Sequence, residues 1–224
     1  MRILPDGVAS TILSKMTYND LERRERRPNR IGRVKDSEQL TRLERACDDA
    51  DDILGGTHEW NFIVTKSGSD WDFPFTAGTA VVLTERALKT VTPETLAHEM
   101  VHIYQRFDQA SFDDIYQRHF SMVKVRSLRL PRGLGKKLVM NPDGPDVRWA
   151  HRLPWGLVWV CMVVPSRGKP PEKRAYDAIL DKSTLHVKTR INTNRLKRYA
   201  AALGVPTHSL YHPNEMAAEI AVSL

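Results

Sequence analysis

An α+β fold is predicted for this chain by three features of its sequence. β-rich runs stand at Trp60–Thr65 (WNFIVT) and Thr79–Thr84 (TAVVLT), and a capped helical run follows directly at about 93–106. A Pro- and Gly-rich stretch with short β-like runs, 126–191, then precedes two C-terminal helical runs. The helix after the strands is expected to pack on a small mixed sheet, with 126–191 as an inserted β-rich subdomain.

The elements follow in order. Residues 6–16 and 36–54 have amphipathic helical periodicity, and Gly55–Gly56 ends the second run. Between them lies a basic, Pro-containing connector, so 1–56 reads as an N-terminal helical region. Trp60–Thr65 alternates as a strand, and Trp71–Thr84 reads as the next, with Pro74 and Gly78 marking its irregular start. Thr92 suits an N-cap and Pro93 the first helical position. Leu96, Met100, Val101 and Ile103 supply the apolar face of that helix. Ser111–Val125 is expected to form a further helix, completing a 57–125 block. NPDGPD at 141–146 is the clearest turn of the insertion, and the apolar run Pro154–Pro165 reads as a buried strand. Asn192–Leu203 forms a helix closed by Gly204, and Pro213–Val222 forms the last. The 192–224 segment rejoins the first block, giving one continuous domain over 57–224.

Within the helix at 93–106 stands His98-Glu99-Met100-Val101-His102. Residues four apart share a helix face, so both imidazoles can present a nitrogen to one metal ion, with Glu99 beside an open coordination position. A catalytic Zn2+ takes three protein ligands and keeps one position for water, so a third donor is required. Glu215 is the first candidate, in HPNEMAAEI at 212–220, where Pro213 suits a helix start and Glu219 follows on the same face. Glu219, Asp108 or a histidine are the alternatives. Asp108 stands six residues after His102, but the spacing that would use it needs a glycine where this chain has Gln105.

HExxH followed by NExxAE resembles the gluzincin arrangement of zinc metallopeptidases. NEMAAE is similar to the ExxAE helix of anthrax lethal factor-like proteases. HEMVHIYQR with a distant HPNE is also loosely similar to uncharacterised zinc peptidases of large DNA viruses. The resemblance covers the two helices and the strand before the first, a strand that such peptidases pair with extended substrate. It implies a zincin-like fold with His98, His102 and Glu215 on the metal and Glu219 holding a ligand histidine. Between His102 and Glu215 lie 112 residues, 103 to 214, more than in compact gluzincins, which places the insertion there.

Zinc lowers the pKa of a coordinated water and polarises the scissile carbonyl, leaving the protein to supply a base and an oxyanion partner. Glu99 is the expected base, taking a proton from the attacking water and delivering it to the leaving amine. Tyr211 and His208, just ahead of the second ligand helix, are the candidates for the oxyanion, each weighed against ordinary packing. Arg148 or Trp149 would meet substrate unless they simply pack. His119, His151 and His186 receive no role.

At 224 residues, 41% hydrophobic and 27% charged, the chain can bury a substantial core. Its two cysteines, Cys47 and Cys161, exclude a disulfide framework and favour a reducing intracellular compartment, cytoplasmic or nuclear, or a virion were the source viral. The opening residues lack the apolar core of a signal peptide, and no apolar stretch reaches the ~18 residues of a membrane span. Net charge is +7, with basic runs at Arg23–Lys35, Lys124–Lys137 and Lys188–Arg198. Such runs suit nucleic acid or an acidic substrate, although no nucleic-acid motif accompanies them. The expected activity is zinc-dependent peptide hydrolysis. Its rivals are a catalytically silent, nucleic-acid-associated basic protein on the same scaffold, and a zinc hydrolase of non-peptide amides. Oligomeric state and substrate identity are not encoded in these patterns.

Overall fold

The computed structural model describes residues 1–14, 31–34, 36–66, 73–139, 143, 147–164, 172–191 and 193–223. The connector between the first two helices and most of the 141–146 turn fall outside the described residues. The fold is mixed α and β, and the chain divides into two compact units, Met1–Phe107 with Ala221–Leu224, and Asp108–Ile220.

In the first unit, β1 (Arg2–Ile3), β2 (Asn61–Thr65), β3 (Phe75–Ala77) and β4 (Ala80–Thr84) form a sheet in the order β1-β2-β4-β3. The first two pairings are parallel, and β3 runs antiparallel to β4. Every residue of β2 and β4 is buried, which explains their nearly continuous apolar sequence. One sheet face, with Phe62, Val81 and Leu83, packs against α2 (Ser37–Leu54) and α3 (Pro93–Phe107). The other, with Ile63, Phe75 and Val82, packs against Ala9 and Leu13 of α1 (Asp6–Ser14).

Local chemistry sets the helix ends. The Asp36 side chain accepts from Gln39 N at 2.7 Å as an N-cap. Gly55, at φ 71°, ends α2 in the left-handed conformation that glycine adopts without Cβ strain. Asp51 then ties down the exit from α2, receiving His58 Nδ1–H at 2.8 Å and Trp60 Nε1–H at 2.9 Å.

The expectation of one strand over Trp71–Thr84 is corrected by the structure. Phe75–Ala77 and Ala80–Thr84 are two strands folded back on each other about Gly78, whose φ of 59° makes the tight reversal. The β-rich composition is continuous, but the turn at Gly78–Thr79 breaks it into a hairpin.

In the second unit, the expected helix over Ser111–Val125 is likewise shortened. α4 (Gln109–His119) stops at Phe120, Ser121 takes φ 50°, and the chain continues as β5 (Met122–Lys124). Then come β6 (Ser127–Arg129), β7 (Leu138–Val139), β8 (Trp149–Leu153), β9 (Gly156–Val163), β10 (Glu172–Asp181) and β11 (Thr184–Arg190). They make a seven-stranded sheet in the order β5-β8-β9-β10-β11-β6, with β7 paired to β9. The apolar run 154–165 thus begins in a turn and becomes β9.

Strand alternation then builds two cores. Val158, Val160 and Ala175 face a cluster containing Tyr116, Leu196, Leu210 and Met216, from α4, α5 (Thr193–Leu203), the 3-10 turn Thr207–Tyr211 and α6 (Pro213–Ala221). Trp159, Cys161, Tyr176 and Val187 face the opposite cluster, with Leu134 and Leu138. Trp149 is buried in the first of these clusters, so it packs rather than meeting substrate, whereas Arg148 is exposed. Cys47 and Cys161 are both buried free thiols, pushed up to about 12 by burial and so unreactive near neutral pH. No helix among the described residues is long and apolar enough to cross a membrane.

His151, assigned no chemistry by the sequence, has a structural task. Its ring is fully buried on β8, and Nε2–H donates to the Leu210 carbonyl at 2.7 Å, tying the 3-10 turn to the sheet. Burial holds its pKa down to about 4, so the folded protein keeps the ring neutral. The unfolded chain takes up that proton near pH 6.5, so it binds more protons than the folded state between pH 6.5 and about 4. Stability therefore falls as pH drops through that window, by up to about 1.4 kcal/mol per unit, and the penalty is complete below pH 4. Urea unfolding of wild type and His151→Gln across pH 4–7 is expected to show a steeper acid loss in wild type. Parallel curves would refute this role.

Candidate metal centre

α3 begins where its sequence dictates: Thr92 Oγ1 accepts from Thr95 N at 3.3 Å, and Pro93 needs no partner for a missing N–H. Leu96, Ala97, Met100 and Ile103 bury against α2 and the sheet. Positions 98, 102 and 105 recur at four- and three-residue steps and fall along one helix face. Glu99 lies next to that face and is only 5% exposed. At the C-terminal end, Arg106 donates to the Thr76 hydroxyl and, at 3.0 Å, to the Thr76 carbonyl, anchoring the helix to β3.

The two imidazoles meet. His98 Nε2 and His102 Nε2 are 3.0 Å apart, with ring planes at 83°. His102 is buried and His98 half-buried. Gln105 Oε1 lies 2.8 Å from His102 Nδ1, so Nδ1 carries the proton and donates it. That leaves the Nε2 lone pair of His102 aimed at the space shared with His98. Two nitrogens bound to one tetrahedral zinc at about 2.0–2.1 Å sit about 3.3 Å apart. The observed pair is therefore arranged as a chelate requires, within a few tenths of an ångström, and a single N–H···N hydrogen bond would hold the same pair without metal.

No family model, curated protein or solved structure matches this chain. The chemistry of the site thus rests on its own residues.

Gln105 is a participant that sequence reading noticed only as a missing glycine. Its relevance was encoded in the three-residue step from His102, which sets the amide over the ring. A carbonyl oxygen on the far nitrogen fixes tautomer and orientation, the usual support of a metal-bound histidine. Gln105→Leu is expected to weaken zinc binding about 10–100-fold in chelator competition, and Gln105→Glu, which keeps an acceptor, to restore most of it. Unaltered affinity in the leucine variant would remove this positioning role.

The second unit carries the other predicted residues. Glu215 is half-buried in the first turn of α6, and Glu219 is half-buried one turn on, along the same face. Both carboxylates act on Lys173 of β10, raising its pKa, although burial dominates and leaves it lowered. α6 is capped by His212, whose Nδ1 accepts from Asn214 N at 3.1 Å, an N-cap role that sequence reading did not assign. Tyr211 is half-buried against the helix-side core. The His208 side chain lies outside the described residues. Asp108, an alternative third ligand, is exposed and accepts from Ser111 N at 3.2 Å as the N-cap of α4. A buried acid that the sequence showed only as part of a turn is Asp143, 4% exposed, whose carbonyl receives Asn214 Nδ2–H at 2.6 Å.

His102 Nδ1 is met by Gln105 of its own helix. One expectation changes. β4 lies between β2 and β3 with both edges paired, so the strand before the helix has no edge free for substrate, and β3 is the terminal strand. A cavity of about 690 Å³ lies along Met100, Ile103, Tyr104 and Phe107, the face of α3 opposite the histidines, and is separate from the histidine pair.

Proposed function

We propose that the chain is a zinc-dependent metallopeptidase that hydrolyses peptide bonds, with His98, His102 and Glu215 as metal ligands. The observation that carries the reading is the 3.0 Å approach of His98 Nε2 to His102 Nε2, with His102 held in the ligand tautomer by Gln105. Two imidazoles and a carboxylate are a donor set that zinc favours in hydrolytic sites. When bound, the ion supplies Lewis acidity toward the carbonyl and the attacking water.

The protein's own residues do the rest. Glu99 is buried on the turn between the two histidines, where its carboxylate serves as the general base. It takes the proton of the attacking water and passes it to the leaving amine, so one side chain serves both halves of the reaction. Glu219 supports the acidic face of α6, and Tyr211 and His208 stand as donors to the developing oxyanion. Asp143 is the competing carboxylate for the third position, because it is more deeply buried than the half-buried Glu215 and its carbonyl is linked to Asn214, the neighbour of Glu215.

The test is cleavage of a mixed peptide library. Products are expected to appear with the native protein, vanish on chelation and return on adding Zn2+. A zinc-loaded protein that cleaves no peptide but hydrolyses simple amides would shift the reading to a non-peptide hydrolase, and one that binds no zinc would end it.

A further inference from the structure

Two of the three basic runs meet in the second unit. β6 pairs in parallel with β11, setting Ser127 opposite Thr184 and Arg129 opposite His186. Arg126 N donates to the Ser183 carbonyl, and the Ser127 and Thr184 hydroxyls are 2.8 Å apart. Segments far apart in the chain thus become neighbours at the terminal strand of the sheet. Arg126, Arg129, Arg132, Lys182, Lys188 and Arg190 are all exposed there. The acids alongside are Asp181, 3.9 Å from His186, and the half-buried Asp177.

Some surface cations elsewhere are matched, Arg2 with Glu59, Arg42 with Glu38, Arg118 with Asp114 and Lys124 with Asp113. Others such as Arg45, Lys89 and Arg152 stand exposed and scattered, so the ridge is set apart by how many cations the β6–β11 pairing gathers in one place. Among the described residues, none of the six ridge cations is in an ion pair. A concentrated, unneutralised positive ridge attracts a regular polyanion, and its affinity comes from counterion release.

We propose that this ridge binds the phosphate backbone of duplex nucleic acid without reading its sequence. Single-strand binders combine cations with aromatic platforms on which bases stack. Residues 126–132 and 182–190 contain no Phe, Tyr or Trp, so only backbone recognition is provided for. The inference stands apart from the peptidase reading, since none of these residues belongs to the proposed zinc site.

Fluorescence anisotropy with a labelled duplex of about 20 base pairs, titrated with salt, tests it. The combined Arg126→Gln, Arg129→Gln, Lys188→Gln variant is expected to bind more weakly. Its log K against log salt slope should fall by about 0.9 for each phosphate no longer neutralised, so by about 2–3 in all. A second variant, Arg132→Gln, Lys182→Gln, Arg190→Gln, should behave alike, which guards against misfolding of either. Arg45→Gln, Lys66→Gln, Lys89→Gln in the first unit removes the same charge and should leave the duplex slope unchanged. Chelated protein should bind duplex as well as zinc-loaded protein. Wild-type affinity in both ridge variants, equal loss in the first-unit control, or binding to single strands or anionic vesicles in preference to duplex would overturn the proposal.

Discussion

Glu99→Gln is expected to lower kcat roughly 10²–10⁴-fold while zinc content stays at the wild-type level. The substitution is nearly isosteric, which matters at a side chain only 5% exposed, so packing around α3 is retained. What it removes is the ability to accept and return a proton, which the proposed mechanism requires twice per turnover. KM should change little, because substrate binding does not use the carboxylate charge. Peptide cleavage kinetics alongside metal analysis on the same preparation separate the effects. A glutamine variant with full zinc and near-native kcat would show that proton transfer is handled elsewhere.

The second large effect concerns the metal itself. His98→Ala and His102→Ala should each abolish stoichiometric zinc, because each removes half of the imidazole chelate. A ligand that binds only the folded state stabilises it by about 2.7 kcal/mol at 100 times its Kd, so apo wild type should gain thermal stability on adding Zn2+ and these variants should not. The same measurement identifies the third donor. Glu215→Ala is expected to lose the zinc-dependent gain and Asp143→Asn to keep it. The opposite pattern would transfer the ligand role to Asp143, and a full gain in His102→Ala would overturn the centre altogether.

Much of the local framework was legible in advance. α3 was readable because an N-cap, a proline at the first turn and an apolar stripe all act within a few residues, and the same helix carries the histidine pair at a one-turn step. The strands β2 and β4 were readable as β-rich runs, but the alternation expected of Trp60–Thr65 is not what the fold shows, since β2 is covered on both faces and buried throughout, as is β4. Less readable was the Phe75–Thr84 hairpin, since one glycine in a β-rich run does not show whether the chain bends or reverses. Gln105 was visible as a residue but not as a partner of His102. Asp143 offered no sign of burial, because a Pro- and Gly-flanked acid is ordinarily exposed.

By itself, the sequence determined where α2, α3 and α6 start and stop, that β-rich runs stand at 60–65 and 79–84, and that His98 and His102 share a helix face, for these follow from periodicity and capping within each segment. Only the tertiary structure decided that β4 is internal while β3 is terminal, that Gln105 fixes the His102 tautomer, that His151 is sealed neutral in a core, and that two distant basic runs form one ridge. Each of those depends on strand pairing or burial that no short stretch specifies, and such arrangements are selected by the joint packing of the whole unit rather than by the preference of any one segment.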